Sequence, residues 1–274
     1  MRHMLKELLP PAVARLVRRA RGVVPMRYAG PFADWASADA HASGYAAPEI
    51  LERVRAAALA VRRGDAASER DAVACARLDP PFPVIAGLLH AAMRSGGRLS
   101  VLDFGGALGS SLHQCRSLLG ACATLEWGVV EQEHFVRCGR AEFQDDTLRF
   151  HDSIDACRRA SRPNAALLSG VLHYLPDPAR VLREIASHPI DTIIVDRTPF
   201  SDRDDDLIAV QHVPPSIYRA SYPLRIFSRR RFTELLRDLG DTLAEFDAPV
   251  DAPGQVGGTA FRFGGMILRR RGAE

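Results

Sequence analysis

The chain has 274 residues, of which 47% are apolar and 25% charged, enough to bury a sizeable core and too apolar for wholesale disorder. A formal charge of +3 is too balanced for a polyphosphate partner, and no apolar run approaches the roughly 18 residues that span a bilayer. Five cysteines, odd in number and without a CxxC pair, argue against a disulfide scaffold and a zinc cluster, so a reduced, cytoplasmic protein is expected.

Residues 1–30 carry a net +6, including Lys6, the only lysine of the chain. Leu5, Leu8, Leu9, Val13, Leu16 and Val17 add an amphipathic pattern broken by Pro10 and Pro11. Residues 1–24 therefore read either as a peripheral contact with an anionic membrane surface or as a helix with a solvated Arg face. Tyr28, Phe32, Trp35 and Tyr45 suggest a packed irregular segment. A helix is predicted over 50–63, with Ile50, Leu51, Val54, Ala58 and Val61 on one face. A second is predicted over 82–94, stopped by Gly96 and Gly97. The first hundred residues thus read as helices and loops, giving an N-terminal helical extension over 1–97 and an α/β domain over 98–274.

From Leu99 short apolar runs alternate with helical segments. Strands are predicted at 99–103, 125–131, 147–150, 165–169, 192–196, 242–247 and 260–269. Helices between the first five imply parallel pairing through right-handed crossovers. Only a turn with Pro253, Gly254, Gly257 and Gly258 separates the last two, which implies an antiparallel hairpin. The expected fold is therefore α/β and Rossmann-like, a seven-stranded, mostly parallel sheet with a C-terminal β-hairpin. This differs from the six parallel strands of a nicotinamide-binding domain and suggests another nucleoside cofactor.

The sharpest local signal runs from Val101 to Ser111, where a buried strand ends in Asp103 and a turn with Gly105, Gly106 and Gly109 leads into a helix at Ser110 or Ser111. Glycine lets the backbone turn tightly and a ligand approach without an intervening Cβ. Ala107 and Ser110 break the dinucleotide fingerprint GxGxxG, and no GK[ST] follows as in a phosphate-cradling loop. Asp103 is read as attracting a cationic ligand, with a turn-capping role as the structural alternative. Glu131 follows the second strand, 22 residues past Gly109, where a carboxylate can accept both hydroxyls of a ribose.

This turn resembles motif I of the S-adenosylmethionine methyltransferases, an acidic residue followed by GxGxG, with Ala107 at the middle glycine. More widely, the segments at 43–45, 69–71, 102–111, 129–132, 168–178, 195–200, 211–214 and 221–223 resemble a group of bacterial methyltransferases associated with cell-surface polysaccharide synthesis of the O-antigen type. The resemblance implies a class I methyltransferase fold and S-adenosyl-L-methionine as cofactor. It implies further that Asp152 meets the adenine amino group, with a helix N-cap as the alternative, and that Ser169 and Gly170 lie beside the methionine part. Asp177 and Pro178 read as a helix start.

A small-molecule or glycan acceptor, methylated at oxygen, needs a base. His173 follows the fourth strand and its ordinary pKa near 6.5 suits that task, although a structural histidine is the alternative. Asp196 can be the base or orient His173, and Arg197 can grip an anionic substrate; a mutual ion pair is their bland alternative. Gln211, Tyr218 and Tyr222 fall in about 30 residues without clear periodicity, read as an acceptor-binding lid. Asp202–Asp206 reads as a solvated face and not a metal site. Arg229–Arg231 lacks interleaved aromatics, so no nucleic-acid role is expected. A non-catalytic binding protein on the same fold is the alternative that Ala107 favours, and a nicotinamide-dependent sugar oxidoreductase a further one.

Overall fold

The computed structural model describes residues 26–44, 48–215 and 217–271, so the expectations for 1–24 and Tyr45 lie outside the described residues. Before the glycine turn come β1 (Arg27–Phe32), α1 (Trp35–Asp39), α2 (Pro48–Arg63), β2 (Ser68–Arg70), β3 (Val73–Cys75) and α3 (Phe82–Arg94). Strands and helices then alternate through β4 (Arg98–Phe104), α4 (Ser110–Cys115), β5 (Thr124–Val130), α5 (Glu133–Glu142), β6 (Leu148–His151), α6 (Ile154–Ser161), β7 (Ala165–Ser169), α7 (Pro178–Ala186) and β8 (Thr192–Ser201). Next come β9 (Leu207–His212), β10 (Ser221–Ser228), α8 (Arg229–Leu239), β11 (Gly240–Asp247), β12 (Gly254–Val256) and β13 (Thr259–Arg270).

Strands β6, β5, β4, β7 and β8 lie side by side and parallel, β13 runs antiparallel to β8, and β11 runs antiparallel to β13. This is the expected α/β architecture, with all seven expected strands in one sheet. The alternation of side chains along each strand sends them to opposite faces. Leu99 and Val101 of β4 join residues of α2, α3, α4 and α5 in one core cluster. Leu102 joins those of α6, α7 and α8 in another, as do Ala166 and Leu168 of β7. Helices thus cover both faces, and each fully buried Leu, Val or Ile contributes about 1.5–3 kcal/mol relative to exposure. Local chemistry fixes the helix starts: the Asp177 carboxylate accepts from the Arg180 amide at 3.0 Å before Pro178.

Two regions differ from the sequence reading. The N-terminal hundred residues are not all helix and loop: β1 pairs antiparallel with β9, and β2 and β3 form a separate hairpin. The segment read as an irregular lid contains β9 and β10, which pair antiparallel and join the main sheet where the end of β10 lies parallel to β8. Among the described residues the sheet accordingly has eleven strands. Pro214, Pro215 and Pro223 and the acidic run disguised these strands. That run is for the most part the solvated face expected, with 202–205 exposed and Asp206 half-buried, and its carboxylates pair with arginines at the surface. Asp204 pairs with Arg230 at 3.3 Å and Asp206 with Arg225 at 3.2 Å, Asp205 pairs with Arg231, and the Ser228 amide donates to Asp206 at 2.8 Å.

One irregularity positions functional side chains. Val195 of β8 faces Met266 and Thr198 faces Gly264, so Asp196 and Arg197 together oppose Gly265. This is a β-bulge, with Arg197 at φ 52° in the left-handed region. It turns two consecutive side chains toward the same end of the sheet. A Cβ on Gly265 would run into the Val195 carbonyl and the Phe246 ring, so the bulge requires glycine opposite it.

Candidate functional site

A cavity of about 1440 Å³ opens at the carboxyl ends of β4, β5, β7 and β8, the place where open parallel sheets hold ligands. Residues of the β2–β3 hairpin, of β9 and β10 and of the segment 246–255 wall it in. Single small-ligand sites span about 300–1,000 Å³, so this cavity has room for two ligands.

On one side lies the glycine turn. Asp103 is fully buried behind it, accepting a hydrogen bond from the Trp127 indole at 2.8 Å; burial pushes its carboxyl up to about 7. A Cβ on Gly106 would overlap the Asp103 carboxylate, so glycine there is needed for the turn to close over the acid. Ala107 holds φ 50°, a left-handed conformation that costs a non-glycine residue about 1–2 kcal/mol. The Glu131 carboxylate accepts from the Gln132 amide at 2.8 Å, and burial raises its pKa. Asp152 stands at the exposed rim, 4.0 Å from Arg140, while Ser153 caps α6. The N-cap alternative for Asp152 is therefore excluded.

Across the cavity the Ser169 hydroxyl donates to Asp196 at 2.9 Å, the two residues facing each other in register on β7 and β8. Burial raises the Asp196 pKa, although that hydrogen bond opposes it. Gly170, at φ 68°, brings its backbone beside the Arg197 guanidinium. Asp196 feels the Arg197 charge and backbone amide, but the Arg197 side chain makes its salt bridges elsewhere. Arg197 donates to Asp71 at 2.6 and 3.3 Å and to Asp251 at 2.8 and 2.9 Å, bracketing the tip of the β2–β3 hairpin to the segment after β11. Burial works against the Asp71 charge, but the guanidinium holds its carboxyl below the ordinary value. The reading of Arg197 as a free grip for an anion is thereby corrected: both of its faces are already taken by carboxylates.

His173 is buried and its Nδ1 has no hydrogen-bond partner among the described residues. Burial, with the Arg197 charge, pushes its pKa down to about 3, so the imidazole is neutral near pH 7 and a weaker base than its ordinary value promised. The Tyr174 hydroxyl donates to Gln211 at 3.0 Å, and the Tyr174 and Tyr222 rings meet edge to face at 5.8 Å.

Of the residues singled out in the sequence, Gly105, Gly106, Glu131, Asp152, Ser169, Gly170, His173, Asp196, Arg197, Gln211, Tyr218 and Tyr222 line one cavity. Asp103 and Gly109 lie behind its wall. Sequence reasoning assigned no role to Glu69, Arg70, Asp71 or Asp251, all of which line it. Glu69–Asp71 was visible only as part of the family resemblance, and the pairing with Arg197 joins residues 126 apart, beyond any local signal.

No protein-family model matches the chain, and no curated protein matches its sequence. Solved structures with a similar fold include the N-terminal domain of EvdMO1 in the presence of SAH and D-fucose, at 15% identity over 81% of this chain and 96% of that one, TM-score 0.48. The glycopeptide N-methyltransferase MtfA complexed with sinefungin matches at 16% identity over 72% and 89%, TM-score 0.45. A S-adenosylmethionine-dependent methyltransferase from Clostridium acetobutylicum matches at 10% identity over 69% and 91%, TM-score 0.44.

Proposed function

We propose that the chain is an S-adenosylmethionine-dependent methyltransferase acting on a small molecule or glycan intermediate at an oxygen atom. The observation that carries this reading is the pairing of the glycine turn with Glu131 at the ends of adjacent parallel strands, facing a cavity large enough for a second ligand. The donor set favours a cationic nucleoside over a dinucleotide. A pyrophosphate at this turn would meet the Glu131 carboxylate, whereas an ammonium and a sulfonium are attracted by it; Asp103, behind the wall, shapes the turn and does not itself face the ligand. In this reading Glu131 accepts the ribose hydroxyls and Asp152 the adenine amino group. Ser169 and Gly170 flank the methionine part. Arg70, the cavity arginine outside the Arg197 bracket, is the cation available for the cofactor carboxylate.

When bound, the cofactor supplies a methyl group on sulfonium for in-line displacement. The chain's own contributions are alignment and proton transfer. Asp196, with its raised pKa and its Ser169 partner, is the group assigned to take the acceptor proton. His173, held neutral, serves as a hydrogen-bonding contact for the acceptor. Isothermal titration of adenosylmethionine into wild type and Glu131→Ala tests the site. A loss of at least tenfold in the variant, at unchanged melting temperature, is expected; equal affinity overturns the assignment of Glu131.

A further inference from the structure

The acceptor half of the cavity is acidic and aromatic, and of the two arginines among the described residues that line the cavity, Arg70, whose charge reaches Glu69, is the one assigned above to the cofactor carboxylate. Arg197 is saturated by Asp71 and Asp251. Beside them Glu69, on β2, is 3% exposed, yet it lines the cavity. Its Oε1 has no hydrogen-bond partner among the described residues. A buried polar atom without a partner is destabilising, and a ligand donor can satisfy it. The backbone of Glu69 is fixed from behind, its carbonyl accepting from Gln114 of α4 at 2.9 Å, so the side chain is anchored to the helix that follows the glycine turn. Tyr174 and Tyr218 lie within the electrostatic reach of Asp71, and Tyr28 within that of Asp251. Aromatic faces next to carboxylates bind organic cations through the ring quadrupole as well as through charge.

We propose that this half of the cavity selects an acceptor carrying an ammonium group, taken by the Glu69 carboxylate against the tyrosine wall, and that it rejects phosphate-bearing acceptors. The inference rests on the methyltransferase reading and adds the chemical class of the acceptor. Burial, with the Asp71 charge beside it, pushes the Glu69 carboxyl up to about 7. A bound ammonium would favour its ionised form, as an opposite charge at contact distance does. The ammonium need not be the atom methylated: an amino sugar held through its nitrogen can still present a hydroxyl to the transferred methyl.

The test is isothermal titration of the full-length protein saturated with S-adenosylhomocysteine, using glucosamine, N-acetylglucosamine and glucose 1-phosphate as probes. Glucosamine is expected to bind at least tenfold more tightly than the other two. In Glu69→Gln that preference is expected to fall by at least tenfold, with homocysteine-nucleoside binding unchanged. Equal affinity for the three sugars, tighter binding of the phosphate, no binding of glucosamine, or an undiminished preference in the variant overturns the inference. The comparison of the three sugars on wild type stands even if the variant does not fold. Failure of S-adenosylhomocysteine itself to bind defeats the methyltransferase reading and the inference with it; binding of S-adenosylhomocysteine without glucosamine defeats the inference alone.

Discussion

Replacing Arg197 with Met removes one guanidinium from between two carboxylates while keeping a side chain of similar length. Arg197 and Asp251 are each 19% exposed and Asp71 is 50% exposed, so the two bridges lie between the buried and surface regimes. Breaking a buried pair costs about 3–5 kcal/mol and an exposed one about 0–1 kcal/mol. For this geometry a loss of about 3 kcal/mol is expected, or about 6–12 °C in melting temperature at the 2–4 °C per kcal/mol typical of chains of this size. The dependence on pH has a definite sign. Asp71 is held below its ordinary pKa in the folded wild type, so its stabilisation is present above the unfolded value near 4 and is lost as pH falls through the folded value. The deficit of Arg197→Met should therefore be full at pH 7 and should shrink below about pH 4. Arg197→Lys, which keeps charge but not the forked geometry, should fall between the two. Differential scanning calorimetry at pH 7 and pH 3.5 measures this. A shift under 2 °C at pH 7, or a deficit that grows on acidification, would refute the bracket as a source of stability.

Asp103→Asn bears on the opposite kind of shift. Burial lifts the Asp103 carboxyl to about 7, above its unfolded value, so the wild type loses stability as pH rises from about 4 to about 7 and the loss levels off beyond. The variant should gain on wild type across that window; denaturant midpoints that run parallel from pH 4 to 8 would contradict it. Gly106→Ala forces a Cβ onto the Asp103 carboxylate and should lower both the melting temperature and adenosylmethionine affinity, while unchanged values would mean that the turn relaxes freely. Ala107→Gly should raise stability by about 0.5–1 kcal/mol, because relief of the left-handed conformation outweighs the added chain entropy, with cofactor affinity retained. A less stable variant in urea titration would count against strain at Ala107.

The parts of this site that were legible in the sequence are those set by neighbours in the chain. The turn from Asp103 to Gly109, the Asp177–Pro178 helix start and the acid after β5 each carry their own local geometry. The terminal hairpin was legible for the same reason, since Gly257 and Gly258 leave no room for a helix before β13. What stayed hidden depends on distant partners. Strands β9 and β10 were obscured by prolines at 214, 215 and 223, and β1 can be recognised as a strand only once β9 exists to pair with it. Arg197 reads in sequence as a free cation at a strand end; only the fold brings Asp71 and Asp251 onto both of its edges. The acidic character of the acceptor side followed from the same long-range closure, as did the fall in the His173 pKa, which burial sets and no spacing could announce.

The most direct test of the central claim is calorimetric titration of the full chain with adenosylmethionine, S-adenosylhomocysteine and NAD. Saturable binding of the first two at one site, with no heat from NAD, is the expected result. Binding of NAD without either sulfur nucleoside would contradict the methyltransferase reading and return the cavity to the nicotinamide chemistry that its glycine turn argues against.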